Sequence, residues 1–484
     1  MNWLLVINDF KRNKAINLAL LLFMIFSATL AVTSVIMGIQ TFTSISELYK
    51  IAQPPHFLQM HKGELDEGEI HEFMQAYEGL THGQIQTMIN IKGEDITIIG
   101  DDTYDLSKVR LDISLVKQND SKDLLLDSKH KKVILGQGEI GIPILLKNMY
   151  DMKIGDKLVL NNNQISRSFI IKEFILDSQM NSPMTSSTRI LLSDEDFNQL
   201  SGNIGEHEYL IEAYFTDTNE ASNFQTAYES ASLPKNGPSI TYAIIFLLSA
   251  LTDIAMMFVF ILVSILLIII SFICLRFTIS GALEEEIKEI GTMKAIGINF
   301  KDIRNIYLNK YKILASGAVL LGYLLALLLS GIFTNHLSQT FGNIGLSPLT
   351  LILSLIVALL VYLLIIFYCK KVLKKIKKLT VVDALVSVDG FDKNKKGIKD
   401  GLYKSGKLPV NILIGSREVF YQFRNYFIIF AVVLIALMMI LIPVNLLNTL
   451  EAPEFITYMG SSLEDILIEV ESGENLESNY TKAI

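Results

Sequence analysis

Gly136-Gln137-Gly138-Glu139-Ile140-Gly141 is a stretch whose glycine spacing could bring backbone amides against a phosphate. In the G-x-G-x-x-G pattern one glycine permits a tight turn and the next lets the chain approach a pyrophosphate, provided a strand leads in and a helix leads out. Val133-Ile134-Leu135 reads as the strand and Pro143 to Met152 as the helix, but no full βαβ unit is legible around them, so a glycine-rich turn is the expectation. Other reactive residues are dispersed. His56, His61, His71, His82, His130 and His207 lack the H-E-x-x-H spacing of a zinc site, and no metal or cofactor is expected. There is no G-x-S-x-G elbow, and Gly406-Lys407, followed by Leu408, lacks the upstream glycines of a phosphate loop. The chain is not expected to be an enzyme, and ATP hydrolysis would have to come from another polypeptide.

The elements that would carry such residues begin with a mixed α and β pattern between Gln40 and Pro238. Val133 to Leu135, Leu158 to Leu160, Phe169 to Leu176, Arg189 to Leu192 and Tyr209 to Phe215 read as strands, with Asn161-Asn162-Asn163 as a turn. Glu67 to Tyr77 places Ile70, Phe73, Met74 and Tyr77 on one helical face. Ser193 opens a further helix with a capping pattern.

Flanking that region are apolar runs long enough to cross a bilayer. The chain has 484 residues, 50% of them hydrophobic and 19% charged, with a mean hydropathy of +0.40, more apolar than an ordinary soluble domain. About 20 helical residues span the hydrocarbon layer. Leu18 to Ile39, Ile254 to Leu275, Ile313 to Phe333, Leu349 to Cys369 and Tyr426 to Leu447 meet that length. The expected fold is a polytopic α-helical membrane protein of about five transmembrane helices with a large α+β extracytoplasmic domain. The first run is too long for a cleaved signal peptide and reads as a retained anchor.

Lysine and arginine fix the orientation, because basic residues near the spans stay on the cytoplasmic side. Lys11, Arg12 and Lys14 precede the first span, Arg276 to Lys312 carries seven basic residues that include Lys288 and Lys294, and Lys370 to Arg424 carries another group, whereas Thr334 to Pro348 has none. The N-terminus is expected in the cytoplasm, and the α+β region outside the cell. That region has an acidic excess of roughly a dozen charges, which argues against a nucleic-acid partner. Cys274 and Cys369 fall at predicted cytoplasmic helix ends, where thiols stay reduced.

The loop between the second and third spans reads Glu284-Glu285-Glu286-Ile287-Lys288-Glu289-Ile290-Gly291-Thr292-Met293-Lys294-Ala295-Ile296-Gly297. The order of span, E-I-G-x-x-K-A-x-G loop, two spans and a closing Val382-Asp383-Ala384-Leu385 resembles the FtsX-like permease domain. The run from Val133 through Lys153-Ile154-Gly155-Asp156-Lys157-Leu158 to Phe174 resembles, more loosely, the MacB-type extracytoplasmic core domain. The first resemblance implies a membrane subunit driven by a cytoplasmic ABC ATPase, with Glu289, Ile290, Gly291, Lys294, Ala295 and Gly297 in the coupling loop. On this loop Ile287, Ile290, Met293 and Ile296 form an apolar helical stripe, Gly297 stops the helix and Asn299 caps the next, Lys301 to Tyr311.

Small residues recur every four positions in the third span at Ala318, Gly322, Ala326 and Ser330, and on one face of the first at Ser27, Ala31, Ser34 and Gly38. Such stripes let helices approach closely in lipid. The second span is expected to continue outward through Ile240 to Leu251, placing Asp253 solvated near the headgroups.

The organisation expected is a cytoplasmic amphipathic segment at 1–17, a span at 18–39, a MacB-like domain at 40–240, an FtsX-like domain at 241–385, a cytoplasmic linker at 386–425 and a span at 426–447. Residues 448–484 read as the start of a second extracytoplasmic domain with a strand at Asp465 to Glu471. Phe10-Lys11-Arg12-Asn13 is echoed by Gln422-Phe423-Arg424-Asn425, so the chain reads as one half of a two-repeat permease plus the opening of the next. The resemblances imply export or extraction of an amphipathic substrate such as a peptide, lipid, lipoprotein or drug. The alternative is an FtsX-type transducer that activates a cell-wall hydrolase or sensor without transport. Expected partners are the ATPase, membrane lipid and a homodimer mate or second permease half.

Overall fold

A computed structural model describes residues 14–451 except 110, 163–164, 182–184, 186, 343–344, 346, 379, 382–383, 385–418 and 420–422. The amphipathic start, most of the closing V-x-A-L motif, the linker, the two echoed segments apart from Phe423 to Asn425, and the strand at Asp465 lie outside the described residues. Two compact units emerge. One holds the described residues of Met1–Met37, Met256–Gly331 and Ser347–Leu463, and the other those of Gly38–Ala255 and Ile332–Leu346.

The first is a membrane unit of long helices. It is built from α1 (Lys14–Ala52), α6 (Tyr242–Glu285), the short α7 (Ile287–Ala295), α8 (Phe300–Phe341), α9 (Pro348–Leu373) and α10 (Phe423–Glu451), of which the stretches 38–52, 242–255 and 332–341 belong to the other unit. The intervening helices α2 to α5 belong to the other unit. Among the described residues four stretches are long and apolar enough to cross a membrane: Asn17–Ala52, Asp253–Glu285, Phe300–Ile332 and Pro348–Leu373. The fifth expected span is helical in α10, but its described apolar stretch, Phe430–Leu446, is shorter than the other four. Every helix outruns its apolar core in the sequence. The second span is continuous with Ile240 to Leu251 from Tyr242 onward, because no glycine or proline interrupts that run. One core gathers the unit, with Met24, Ala28, Val32, Leu275, Ile279, Ala315, Ala318, Ala326, Ala358 and Ile365 all buried. In it Phe272 and Tyr368 stack at 4.3 Å, nearly coplanar at 7°.

In the other unit an 11-stranded sheet runs in the order β11-β1-β10-β2-β5-β9-β6-β8-β7-β3-β4. The strands are β1 (Phe57–Lys62), β2 (Leu80–Ile91), β3 (Ile96–Ile99), β4 (Thr103–Asp105), β5 (Asp112–Lys117), β6 (Glu139–Pro143), β7 (Lys157–Asn162), β8 (Ile165–Ile175), β9 (Ser187–Leu192), β10 (Glu206–Phe215) and β11 (Ser239–Thr241). The β5–β9 and β6–β8 pairs are parallel and the other pairs antiparallel. Four helices complete it: α2 (Glu67–Ala76), α3 (Ile144–Tyr150), α4 (Asp194–Leu200) and α5 (Glu220–Ser230).

Strand alternation feeds two cores from the same strands. Phe57, Ile211, Ala213 and Phe215 pack on Ile70 and Met74 of α2 and on Phe224 and Tyr228 of α5. Their neighbours Leu58, Met60 and Leu210 point to the opposite face, where Leu125, Val133 and Met180 cover them. A further cluster joins Leu48, Tyr49 and Ala52 to Leu126, Leu176, Ile245 and Phe341. There the last carbonyls of α8, whose end from Ile332 belongs to this same unit and which have no partner inside the helix, are met by side chains of the unit. Asn181 Nδ2 donates to the Thr340 carbonyl at 2.6 Å, and His130 Nε2 lies 2.7 Å from that of Phe341.

Three expectations need correction. Val133 to Leu135 is not a strand: Ile134 is exposed, and the strand begins four residues later at Glu139. Asp253 is buried instead of solvated. Ile296 leaves the apolar stripe and is 72% exposed, since α7 has ended at Ala295 and Ile296 is its C-cap.

Candidate functional site

The loop between the second and third spans folds as a helix with a defined stop and restart. Leu283, Ile287, Ile290 and Gly291 are buried and join Ile303, Leu373, Ile376 and Ala384, so one side of α7 is fastened into the membrane unit. Gly297 takes a φ of +88°, its N–H donates to the Lys294 carbonyl at 3.1 Å, and the Ile298 N–H donates to Met293 at 3.0 Å. This pair of bonds is the Schellman stop, in which a left-handed glycine satisfies the last helical carbonyls. Two residues on, the Asn299 side chain accepts from the Lys301 N–H at 3.4 Å and caps α8 at Phe300. The Lys294 ammonium, its pKa lowered by partial burial, donates to the Ile376 carbonyl at 2.7 Å.

Six expected coupling residues thus divide in two. Ile290, Gly291 and half-buried Lys294 hold α7 in place; Glu289, Ala295 and Gly297 are exposed, with Ile296 between the last two. The free side is an apolar tip beside Glu284, Glu285, Lys288 and Glu289, all exposed.

The four small residues of α8, Ala318, Gly322, Ala326 and Ser330, are all buried. A Cβ on Gly322 would fall 2.8 Å from Ala28 Cβ and 2.9 Å from the Ile25 carbonyl, so α1 lies directly on this glycine. Another side of α1 meets α6, where Ser264 Oγ donates to the Ser27 carbonyl at 3.1 Å.

In the sheet unit the glycine motif does not cradle a phosphate. Its glycines lead into β6 rather than linking a strand to a helix, and their amides are taken: Gly136 N–H by Glu139 Oε2 at 3.0 Å and Gly138 N–H by Asp196 Oδ2 at 2.7 Å. Carboxylates already occupy the place of an anion. Histidines serve as local braces, His56 Nδ1 accepting from the Phe215 N–H and His61 Nδ1 from the Asn236 N–H. Among the described residues no group of three His, Cys, Asp or Glu could hold a metal.

A buried ionic cluster went unnoticed in the sequence. Arg189 on β9, fully buried, uses every guanidinium donor: Nε to Asp177 Oδ2 at 2.7 Å, Nη1 to Asp123 Oδ2 at 2.5 Å and Gln86 Oε1 at 3.1 Å, Nη2 to Asp123 Oδ1 at 3.1 Å and Asp177 Oδ1 at 2.6 Å. Burial alone would raise the Asp177 carboxyl, but Arg189 and the Gln179 and Met180 amides outweigh it and hold the pKa low. Beside them Glu212 bonds Gln84, Gln179 and the Tyr214 hydroxyl at 2.7, 2.9 and 2.7 Å. Burial, aided by the Asp123 charge, pushes Glu212 up to about 8.

That shift makes a pH prediction. The folded state keeps the Glu212 proton after the unfolded chain has released it, so this residue's contribution falls as pH rises from 4.5 to about 8, by ~1.4 kcal/mol per pH unit. Glu212→Gln should therefore stabilise the sheet unit at pH 8 and gain little or nothing at pH 5. Thermal melts of both proteins at several pH values check this, and an offset constant across pH would refute it.

Residues 261–378 match the FtsX-like permease C-terminal family model. Among solved structures the chain is similar to the periplasmic region of MacB from Actinobacillus actinomycetemcomitans, at 8% identity over 39% of this chain and 90% of that one, TM-score 0.23. It is also similar to a domain of a protein described as a permease from Porphyromonas gingivalis, at 10% identity over 38% of this chain and 87% of that one, TM-score 0.22. A search of the curated proteins found no match. Residues 261–378, which include the α7 loop, thus carry an FtsX-like permease C-terminal domain, and the described helices make the chain a multi-pass membrane protein.

Proposed function

We propose that this chain is the membrane subunit of an ABC-type machine, in which a separate cytoplasmic ATPase covers the tip of α7 and closure of that ATPase moves the helices on either side. The observation that carries the reading is the tip itself: Ala295, Ile296 and Gly297 stand exposed at the end of a helix whose opposite face is buried at Ile287 and Ile290. A helix locked on one side transmits force, and an apolar residue held out at 72% exposure offers a contact to a partner. The chain supplies no phosphate loop and leaves hydrolysis to the partner. The sheet unit, on the outer side of a bacterial cytoplasmic membrane with the N-terminus inside, would be the moving part that expels or extracts an amphipathic substrate, with a homodimer mate or second permease half completing the channel.

Purifying the tagged chain from its own membranes and assaying MgATP hydrolysis tests this. An ABC ATPase should come with it, its rate dependent on the permease chain. Co-purification of a cell-wall hydrolase with no effect of substrate on the ATPase rate would favour the transducer.

The orientation has its own test. In a variant with Cys274 and Cys369 replaced by serine, a cysteine at exposed Asn161 should react with an impermeant thiol reagent in intact cells, and one at exposed Lys377 should not. Labelling at 377 overturns the topology.

A further inference from the structure

The end of α9 brings together two features that neither packing nor the proposed coupling uses. Along one face of this helix Leu360, Leu363, Leu364 and Phe367 are exposed at 52%, 50%, 49% and 70%. Their spacing of three and four residues makes one continuous stripe, and the same stripe continues into Lys370, Lys371 and Lys374, all exposed. The apolar part and the lysines therefore follow one another on a single surface. From Phe367 the rise is about 4.5 Å to Lys370 and about 10 Å to Lys374, which spreads the cations across the depth of a headgroup layer beyond the apolar stripe.

The other side of the same segment is fixed. Cys369, Leu373 and Ile376 are fully buried, and the Ile376 carbonyl receives the Lys294 ammonium at 2.7 Å. The turn Lys374–Lys378 that follows is ordered around Ile376. The lysines are thus presented by a rigid base, which lowers the entropic cost of binding an anion. No acidic residue occurs between Pro348 and Val382, and among the described residues no ion pair reaches Lys370, Lys371 or Lys374. Among the described residues these three cations stand together without a counter-charge, directly above the exposed apolar stripe.

We propose that this surface is a binding site for an anionic phospholipid, its acyl chains along Leu360, Leu363, Leu364 and Phe367 and its phosphate held by Lys370, Lys371 and Lys374. Charge complementarity and the adjoining apolar stripe select the occupant: a soluble phosphate would use the lysines alone, and an acidic protein segment would have no use for leucines at bilayer depth. Lysine near an anionic lipid surface gains roughly fivefold in affinity per residue, so three together give about a hundredfold preference over a zwitterionic lipid. The inference rests on α9 crossing a membrane and is independent of the ATPase.

The test uses the full chain in detergent micelles doped with equal amounts of phosphatidylglycerol and phosphatidylcholine, with bound lipid read by native mass spectrometry. The parent should retain phosphatidylglycerol at least tenfold over phosphatidylcholine. Lys370→Gln, Lys371→Gln and Lys374→Gln combined should bring the two lipids near parity, while replacing exposed Lys108, Lys129 and Lys157 of the sheet unit by glutamine should change nothing. Millimolar glycerophosphoglycerol, the headgroup without chains, should not displace the lipid. A parental preference for phosphatidylglycerol in the α9 triple variant, loss of that preference in the control, or displacement by the chainless headgroup would each overturn the proposal; the last would mark a soluble-anion site. All the substituted lysines are exposed, so circular dichroism should show both triple variants folded.

Discussion

Arg189→Ala is expected to lower the melting temperature of the sheet unit by roughly 10 °C or more, since stripping one partner from a buried ion pair costs about 3–5 kcal/mol and a unit of this size loses a few degrees per kcal/mol. The reason lies in what remains. Asp123 and Asp177 are both buried, and Arg189 supplies two hydrogen bonds to each. Its removal leaves two carboxylates facing one another without water or a cation. Arg189→Lys should recover little, because an ammonium cannot present the fork that meets two carboxylates and Gln86 at once. Removing the charges together should do better: Arg189→Met with Asp123→Asn and Asp177→Asn should be less destabilised than Arg189→Ala alone. Hydrogen-exchange protection of the β9 amides reports this unit separately from the membrane helices. Unchanged protection in Arg189→Ala would mean that the cluster contributes nothing to holding β5, β8 and β9 together.

What the sequence showed of this structure follows how local each signal is. The α7 stop was legible, glycine, isoleucine and asparagine in order, because a Schellman turn and an N-cap are made within six residues. The strands β7 to β10 were legible from their apolar alternation. By contrast β2 was missed: its Gln84 and Gln86 face the buried Arg189 and Glu212 instead of solvent, so polar letters there do not mark an exposed face. β6 was hidden behind a motif, since Gly141 and Pro143 are poor strand formers. The structure shows why a glycine stands there, for a Cβ on Gly141 would lie 2.8 Å from Ile175 Cγ2. The ionic cluster itself had one readable sign, a lone arginine inside the apolar strand Ser-Thr-Arg-Ile-Leu-Leu. Its partners lie 66 and 12 residues away in the chain, beyond what periodicity can connect. The Ile296 error has the same origin: a stripe drawn by spacing assumes the helix continues, and the turn at Gly297 ends it one residue too soon.

Ala295→Arg should abolish coupling while leaving the chain folded and inserted in the membrane, if the tip of α7 is where an ATPase docks. Ala295 is exposed, and its neighbours on the free side are Ile296 and Gly297, both exposed as well. An arginine buried without a partner at a protein interface costs several kcal/mol, and about 3 kcal/mol already lowers association by two orders of magnitude. Gly297→Ala acts differently. At φ +88° a Cβ is strained whatever the space around it, at about 1–2 kcal/mol, so this variant should loosen the α7 stop and weaken coupling partially. The two together separate surface from shape: a partner reading only the charge and bulk of the tip would be lost with Ala295→Arg and kept with Gly297→Ala. Detergent-solubilised complexes, assayed for retained ATPase subunit and for permease-dependent MgATP hydrolysis, give both readouts. If Ala295→Arg keeps both at the parental level, α7 does not carry the coupling, and its exposed isoleucine faces lipid headgroups instead of a protein.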